Sequence, residues 1–149
     1  MIINDNLDKE LVLFELESSD KEGVLREMVT VLNAKGVKLD VETALKVLMT
    51  REKLGTTGIG DGIAIPHGKL DCLEDIFVVV GRSGSGIDFE ALDGEPCHIF
   101  FMVLAPDQGA GTHLKVLAQI SRQLKDATFR EAFKNAQNQQ ELLNLLNIT

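Results

Sequence analysis

Apolar positions along this chain follow two different spacings, and the switches between them predict its elements. Residues 11–17, LVLFELE, partly alternate apolar and acidic side chains and predict a first strand. Ser19-Asp20-Lys21-Glu22 has the spacing of a capping box, with Glu22 placed to reach back to the cap. Val24, Leu25, Met28, Val31 and Leu32 then recur at helical spacing, and Gly36 stands where that helix should stop. A second helix is predicted from Asp40, with Val41, Ala44, Leu45 and Leu48 inward, Arg51 in its last turn and Gly55 at its end.

The helical period is then lost for about a third of the chain. Residues 62–67, GIAIPH, predict a short extended run, because Pro66 pushes Ile65 away from helical geometry. The runs IFVVV (76–80) and CHIFFMVL (97–104) are continuously apolar and rich in β-formers, as expected of strands covered on both faces. Ser83-Gly84-Ser85-Gly86 reads as a flexible turn, and Ile87-Asp88-Phe89 as a short strand before a turn at Asp93-Gly94. Helical spacing returns with Thr112 as a cap and Leu114, Leu117, Ile120 and Leu124 as the apolar stripe. Asp126 is placed to cap a short helix carrying Phe129, Ala132 and Phe133. Asn138 and Glu141 frame a last helix with Leu142, Leu145 and Leu146 inward. The order of strand, two helices, a group of strands and three helices predicts one mixed α/β domain, a central mixed sheet covered by helices.

Charge narrows the range of partners. With 15 basic against 23 acidic residues the net charge is −8, the wrong sign for a nucleic-acid backbone or an acidic membrane surface. The absence of Trp and Tyr also removes the usual platforms for stacking unpaired bases. Cys72 and Cys97 are too few for a disulfide framework or a closed cysteine zinc site. The longest apolar run, residues 99–105, falls far short of a membrane span, and no signal peptide opens the chain, so a soluble cytoplasmic protein is expected. Gly58-Ile59-Gly60-Asp61-Gly62-Ile63 misses the last glycine of a dinucleotide fingerprint, and Gly68-Lys69-Leu70 lacks the remainder of a phosphate loop. Histidine spacing predicts no metal site, and no cofactor is expected.

Chemistry falls to three histidines. His98 sits inside an apolar strand run, with Cys97 and Ile99 expected on the opposite side, and reads as a strand histidine with a local hydrogen bond. His67 lies between a rigid Pro66 and a permissive Gly68 at a strand end. That is either a favoured place for a functional group or simply a turn with a polar residue in it. His113 follows the Thr112 cap, where unpaired N–H groups and the helix dipole favour an anion and disfavour protonation of an imidazole. The other reading is an exposed histidine at a helix start.

The stretch from Arg51 through Gly55-Thr56-Thr57-Gly58-Ile59-Gly60-Asp61-Gly62-Ile63-Ala64-Ile65-Pro66-His67-Gly68 resembles the active-site segment of the mannitol/fructose-type enzyme IIA of the bacterial phosphoenolpyruvate-dependent phosphotransferase system. Gly86-Ile87-Asp88-Phe89, Asp93-Gly94, the run HIFFMVLAP and Thr112-His113-Leu114-Lys115-Val116-Leu117 follow in the same order as in that family. The resemblance covers residues 5–149 and implies the family's fold over one domain. A chain of this length opening MIINDNL resembles most the family's free-standing, nitrogen-regulatory branch.

The resemblance further implies that His67 accepts a phosphoryl group at Nε2 from the phosphocarrier protein HPr or its nitrogen-branch counterpart. His113 would hydrogen-bond the phosphoryl oxygens, and Arg51 would stabilise their charge. Arg51 also has a rival reading as a cation at a helix C-terminus. The implied output is regulatory binding, or else, in a sugar branch, transfer to a separate enzyme IIB. Docking of the carrier is expected on an apolar surface near His67, with Ile63, Ile65 and residues around Leu70 as candidates.

Overall fold

A computed structural model describes residues 7–108 and 110–148; the opening residues, Gly109 and Thr149 lie outside it. Helix α1 spans Lys21–Ala34 and α2 spans Val41–Leu54. The cap of α1 is Asp20, one residue later than expected: its carboxylate accepts the Gly23 N–H at 2.7 Å. At the other end Gly36, with φ of +96°, lets its own N–H reach the Asn33 carbonyl and that of Val37 reach the Leu32 carbonyl. Asp40 caps α2 through the Thr43 N–H at 3.0 Å, as its position in the sequence predicts.

The sheet contains β1 (Val12–Leu13), β2 (Gly58–Gly60), β3 (Ile63–Ala64), β4 (His67–Lys69), β5 (Phe77–Ile87) and β6 (Cys97–Ala105). Its order is β1-β5-β6-β3-β2, with β4 also paired to β6. β5 and β6 run antiparallel through its centre, while β1 is parallel to β5, and β3 and β4 are parallel to β6. The sheet is therefore mixed, as expected.

Two expectations about the strands are corrected. The first strand is only two residues long, preceded by a 3-10 turn at Lys9–Leu11. Past Leu13 the chain turns to local partners: Phe14 lies under the Arg82 guanidinium, and the Glu15 carboxylate accepts from Arg82 at 2.8 Å. Residues 83–86 are not a turn but part of β5. The pairing of β5 with β6 shifts register between Arg82 and Ile87, and Gly86, at φ of +87°, supplies the conformation that the irregularity needs.

Alternation along β6 separates two cores. Phe100, Met102 and Leu104 join α1 and α2 on one face, with Val24, Leu25, Met28, Ala44 and Leu48. Ile99, Phe101 and Val103 join the other face. That face is covered by α3 (Ala110–Leu124), α4 (Ala127–Lys134) and α5 (Gln139–Leu145). Asp126 and Asn138 cap α4 and α5 as predicted. Helix α3 begins at Ala110, three residues before the expected first helical position, so Thr112 lies inside its first turn. Its buried face carries His113, Val116, Ile120 and Leu124, whereas Leu114, expected inward, is 66% exposed.

Phe133 is fully buried, with ring centroids of Phe101 and Phe129 at 6.0 and 6.2 Å. Replacing it with alanine removes a large side chain from a core with little freedom to collapse. We expect Phe133→Ala to cost about 3–5 kcal/mol. The check is urea unfolding, with a lower midpoint at an unchanged slope.

Candidate functional site

The site is assembled around β4. The Pro66 carbonyl accepts the Val103 N–H at 2.9 Å, and His67 stands opposite Val103 in register. On the other side the Ile65 N–H donates to the Thr57 carbonyl at 3.0 Å. These two bonds fix the chain on either side of the Ile65–Pro66 peptide, which is trans. Gly68 is needed for the close approach of α2, since a Cβ there would lie 2.8 Å from Val47 Cγ1.

His67 is half-buried, and its Nδ1 lies 2.9 Å from the Ile65 carbonyl oxygen. A carbonyl oxygen only accepts, so Nδ1 carries the proton and Nε2 keeps its lone pair. His113 approaches from α3, with ring centroids 5.7 Å apart and the planes at 67°. It is only 5% exposed, which excludes the exposed helix-start reading. Its Nε2 is buried without a hydrogen-bond partner. Burial holds the His113 pKa below the ordinary histidine value, and the neighbouring charges of His67 and Lys69 press in the same direction. A neutral ring with an unpartnered buried nitrogen beside a nucleophilic nitrogen is suited to hydrogen-bond an anionic group carried on its neighbour.

Lys69 also belongs to the surroundings of the two histidines, although no motif in the sequence marks it. It lies two residues beyond His67 on the same strand, so both side chains leave one face, and it is exposed. That two-residue offset was the available signal. Arg51 is half-buried in the last turn of α2, and its Nη1 donates to the Gly55 carbonyl at 2.8 Å. It thus closes its own helix; among the described residues no hydrogen bond joins it to either histidine.

The apolar surroundings differ from expectation. Ile63, Ile65 and Leu70 are buried in the cores. Among the described residues, the large apolar side chains that do reach solvent are Leu54, Ile59, Leu92 and Leu114, with Leu54 and Leu92 at 82% and 76% exposure. Leu114 directly follows His113, and Leu54 follows Arg51 by three residues.

His98 behaves as a strand histidine: Nδ1 donates to the Ser83 carbonyl at 2.8 Å. Cys97 and Ile99 do not share a face, however, because the register shift sends Cys97 into one core and Ile99 into the other. A cleft of about 370 Å³ borders His98, Asp61, Asp93 and Arg130, and neither His67 nor His113 lines it. Burial, reinforced by the Asp93 charge, pushes the Cys97 thiol up to about 12, so it is unreactive near neutrality.

The depressed pKa of His113 has a sign for stability. Below about pH 6.5, the ordinary histidine value, the unfolded chain takes up a proton at this residue that the folded chain refuses. The stabilisation is therefore whole above that value and is lost as the pH falls through the lower folded one. Proton-titration NMR should place His113 below an ordinary histidine, and Lys69→Gln should raise it part of the way back. His113→Asn should flatten the loss of thermal stability on acidification relative to wild type.

Comparison with known proteins bears on this geometry. Residues 5–148 match the family model described as "Phosphoenolpyruvate-dependent sugar phosphotransferase system, EIIA 2". A nitrogen regulatory protein of Bradyrhizobium diazoefficiens is 38% identical, over 98% of this chain and 95% of its own. A fructose-specific EIIABC component of the Bacillus subtilis phosphotransferase system is 36% identical over 99% of this chain, but the match spans only 23% of that longer protein. The crystal structure of the nitrogen regulatory protein IIA-Ntr from Neisseria meningitidis superposes with a TM-score of 0.89 at 27% identity, covering 98% of this chain and 99% of that one. The IIA mannitol structure from Escherichia coli shares the fold at a TM-score of 0.79 and 24% identity, over 94% and 98% of the two chains. A match along nearly every residue, to relatives above 30% identity, makes this chain a member of the type 2 EIIA family of the phosphotransferase system, a family of phosphoryl carriers.

Proposed function

We propose that this protein accepts a phosphoryl group on Nε2 of His67 from a phosphohistidine carrier, HPr or its nitrogen-branch counterpart, in the cytoplasm, and that its main output is regulatory. The observation that carries the reading is the Nδ1–H donation to the Ile65 carbonyl, which leaves Nε2 as the bare nitrogen beside His113. In the transfer, the Nε2 lone pair forms a bond to phosphorus as the carrier's N–P bond breaks, and the bonding pair returns to the carrier's ring nitrogen. Positive charge then builds on the His67 ring, and the Nδ1–H bond to Ile65 stabilises it. No separate base is needed, because neutral imidazole is itself a nucleophile.

Catalysis of such a step is mostly positioning and charge stabilisation. His113, held neutral, donates from its buried ring to a phosphoryl oxygen, and Lys69 adds a cation on the His67 face. Arg51 contributes by swinging from the Gly55 carbonyl to the phosphoryl oxygens, a bidentate geometry that a guanidinium suits. Exposed Leu114 and Leu54 supply apolar contact area for the carrier.

The regulatory emphasis is supported by the nitrogen regulatory relatives, whose own length this chain nearly matches. A second reading, transfer onward to an enzyme IIB in sugar uptake, is favoured by the fructose-specific relatives. A structural neighbour is known as a complex of IIA mannitol with phosphorylated IIB mannitol.

Incubation with phosphoenolpyruvate, enzyme I and either carrier should add about 80 Da, one phosphoryl group, and His67→Ala should take up none. Uptake that survives His67→Ala overturns the assignment. His113→Ala should still accept phosphate, about a hundredfold more slowly, by quench-flow. Faster uptake from the nitrogen-branch carrier supports the regulatory branch; faster uptake from HPr supports the sugar branch.

A further inference from the structure

A buried polar chain runs from the interior to His67, and none of its inner members touches the reacting atoms. Lys21, at the start of α1, pairs with Glu52 near the end of α2 at 3.0 Å, and both are buried. Lys21 also lies over the Phe89 ring, 4.8 Å from its centroid. The Glu52 carboxylate takes two further bonds from one residue: the Thr57 N–H donates to Oε1 at 3.1 Å, and the Thr57 hydroxyl donates to Oε2. Thr57 is itself buried. Its carbonyl accepts the Ile65 N–H, and the Ile65 carbonyl accepts Nδ1–H of His67.

From this continuity we infer that Glu52, with Lys21 and Thr57, is a positioning residue for His67: it holds the Thr57 peptide so that the Ile65 carbonyl selects the His67 tautomer with Nε2 free. The inference rests on the proposed phosphoryl acceptance for its consequence, but its structural content is the tautomer and orientation of one ring.

Stability alone does not explain the pair. A buried ion pair gains little over apolar side chains of similar volume, because removing both charges from water offsets their attraction. Such groups are retained where they select one arrangement over others. Glu52 does that here with good economy, since both its oxygens are occupied and three elements meet on it: α1 through Lys21, α2 through its own backbone, and the segment entering β2 through Thr57. An apolar substitute would fill the space but would leave the Thr57 N–H and hydroxyl without acceptors.

Geometry makes the downstream step sensitive. The Ile65 carbonyl belongs to the Ile65–Pro66 peptide, whose nitrogen has no proton to anchor it. Its plane is set only by its flanks, the Ile65 N–H on Thr57 and the Pro66 carbonyl on Val103. The Val103 flank belongs to the central strand β6 and is rigid. The Thr57 flank lies in the link between α2 and the edge strand β2; the Thr56 hydroxyl donates to the Phe89 carbonyl and accepts the Gly58 N–H, and Glu52 is the side chain that holds Thr57 itself. Loosening it frees the carbonyl to tilt and the ring to exchange its proton between nitrogens, which lowers the fraction with a bare Nε2.

The test uses the full chain, labelled with 15N, and long-range proton–nitrogen spectra that assign the proton to either ring nitrogen of His67. The same samples are assayed for phosphoryl uptake from the phosphorylated carrier. Thr57→Val removes the hydroxyl donor while preserving shape, Glu52→Gln removes the charge, and the pair Lys21→Met with Glu52→Leu tests a neutral, packed interior. Thr57→Ser restores the donor. We expect the two ring-nitrogen shifts to converge in Thr57→Val and Glu52→Gln, and the maximal uptake rate to fall about tenfold. The KM for carrier should be unchanged, and Thr57→Ser should behave as wild type. The double replacement should fold and show the same converged shifts, with a lowered melting temperature because the buried Thr57 N–H and hydroxyl lose their acceptor. Folded Thr57→Val and Glu52→Gln proteins with wild-type His67 shifts and rates overturn the inference. So does a KM change alone. If wild type itself accepts no phosphate, the proposed function fails, and the nitrogen shifts still decide whether Glu52 sets the ring.

Discussion

One hydrogen bond, from Nδ1 of His67 to the carbonyl two residues before it, decides which nitrogen of this ring is left free. An imidazole free to exchange its proton presents a nucleophilic nitrogen at either edge and aims neither. Tied to a backbone carbonyl, it presents one, with a fixed direction. Much of the surrounding structure can be understood as keeping that carbonyl still: β6 holds the peptide after it through Val103, Thr57 holds the residue that bears it, and Gly68 allows α2 to press against the strand that follows. The three-layer arrangement serves the same end, because a histidine at the margin of a sheet with two packed faces has little freedom to drift.

His113 solves a different problem. A buried nitrogen without a partner costs about 1–3 kcal/mol, and a fold sheds such a group unless something else requires it. Here the ring is embedded on the inner stripe of α3 with Val116, Ile120 and Leu124, so its position is set by the same contacts that attach the helix to the sheet. Under the proposed function, the unpartnered nitrogen is a cost of the resting state that an anionic group on the neighbouring ring would remove. Burial also keeps the residue uncharged near neutrality. In the proposed transfer, a neutral donor would bind a phosphoryl oxygen without holding it so tightly that onward transfer is lost.

Much of this was legible in the residues, and the failures are informative. Pro66-His67-Gly68 announced a stiffened strand end, and the apolar runs of β5 and β6 announced strands with two covered faces, because both signals are local. Leu114 was expected inward, and an exposed start was one of two readings of His113, since hydrophobicity alone ranks leucine above histidine; α3 in fact begins two residues upstream of the cap that Thr112 suggested, with His113 on its buried face. Ser83-Gly84-Ser85-Gly86 looks like a turn on composition, yet long-range pairing with β6 carries the strand through it at the expense of one irregular step. Ile63 and Ile65 fit an exposed rim by proximity to His67, but they sit between a paired strand and three helices and are consumed by the core.

The least legible feature was the interior polar chain, and the reason is separation. Lys21 and Glu52 lie 31 residues apart and read separately as ordinary charged positions of two amphipathic helices. Only the crossing of α1 over α2 brings them together, and only the path of the chain out of α2 places Thr57 on the same carboxylate. Periodicity identifies which face of a helix is buried, but it cannot show that a charged residue on the margin of that face has found a partner. It follows that in a fold of this kind the reacting side chains are announced by short local signals, while the groups that aim them are assembled by tertiary contact. If Glu52 aims the ring as proposed, a substitution far from His67 in sequence, at a position resembling a solvated helix charge, reaches its chemistry through the backbone between them.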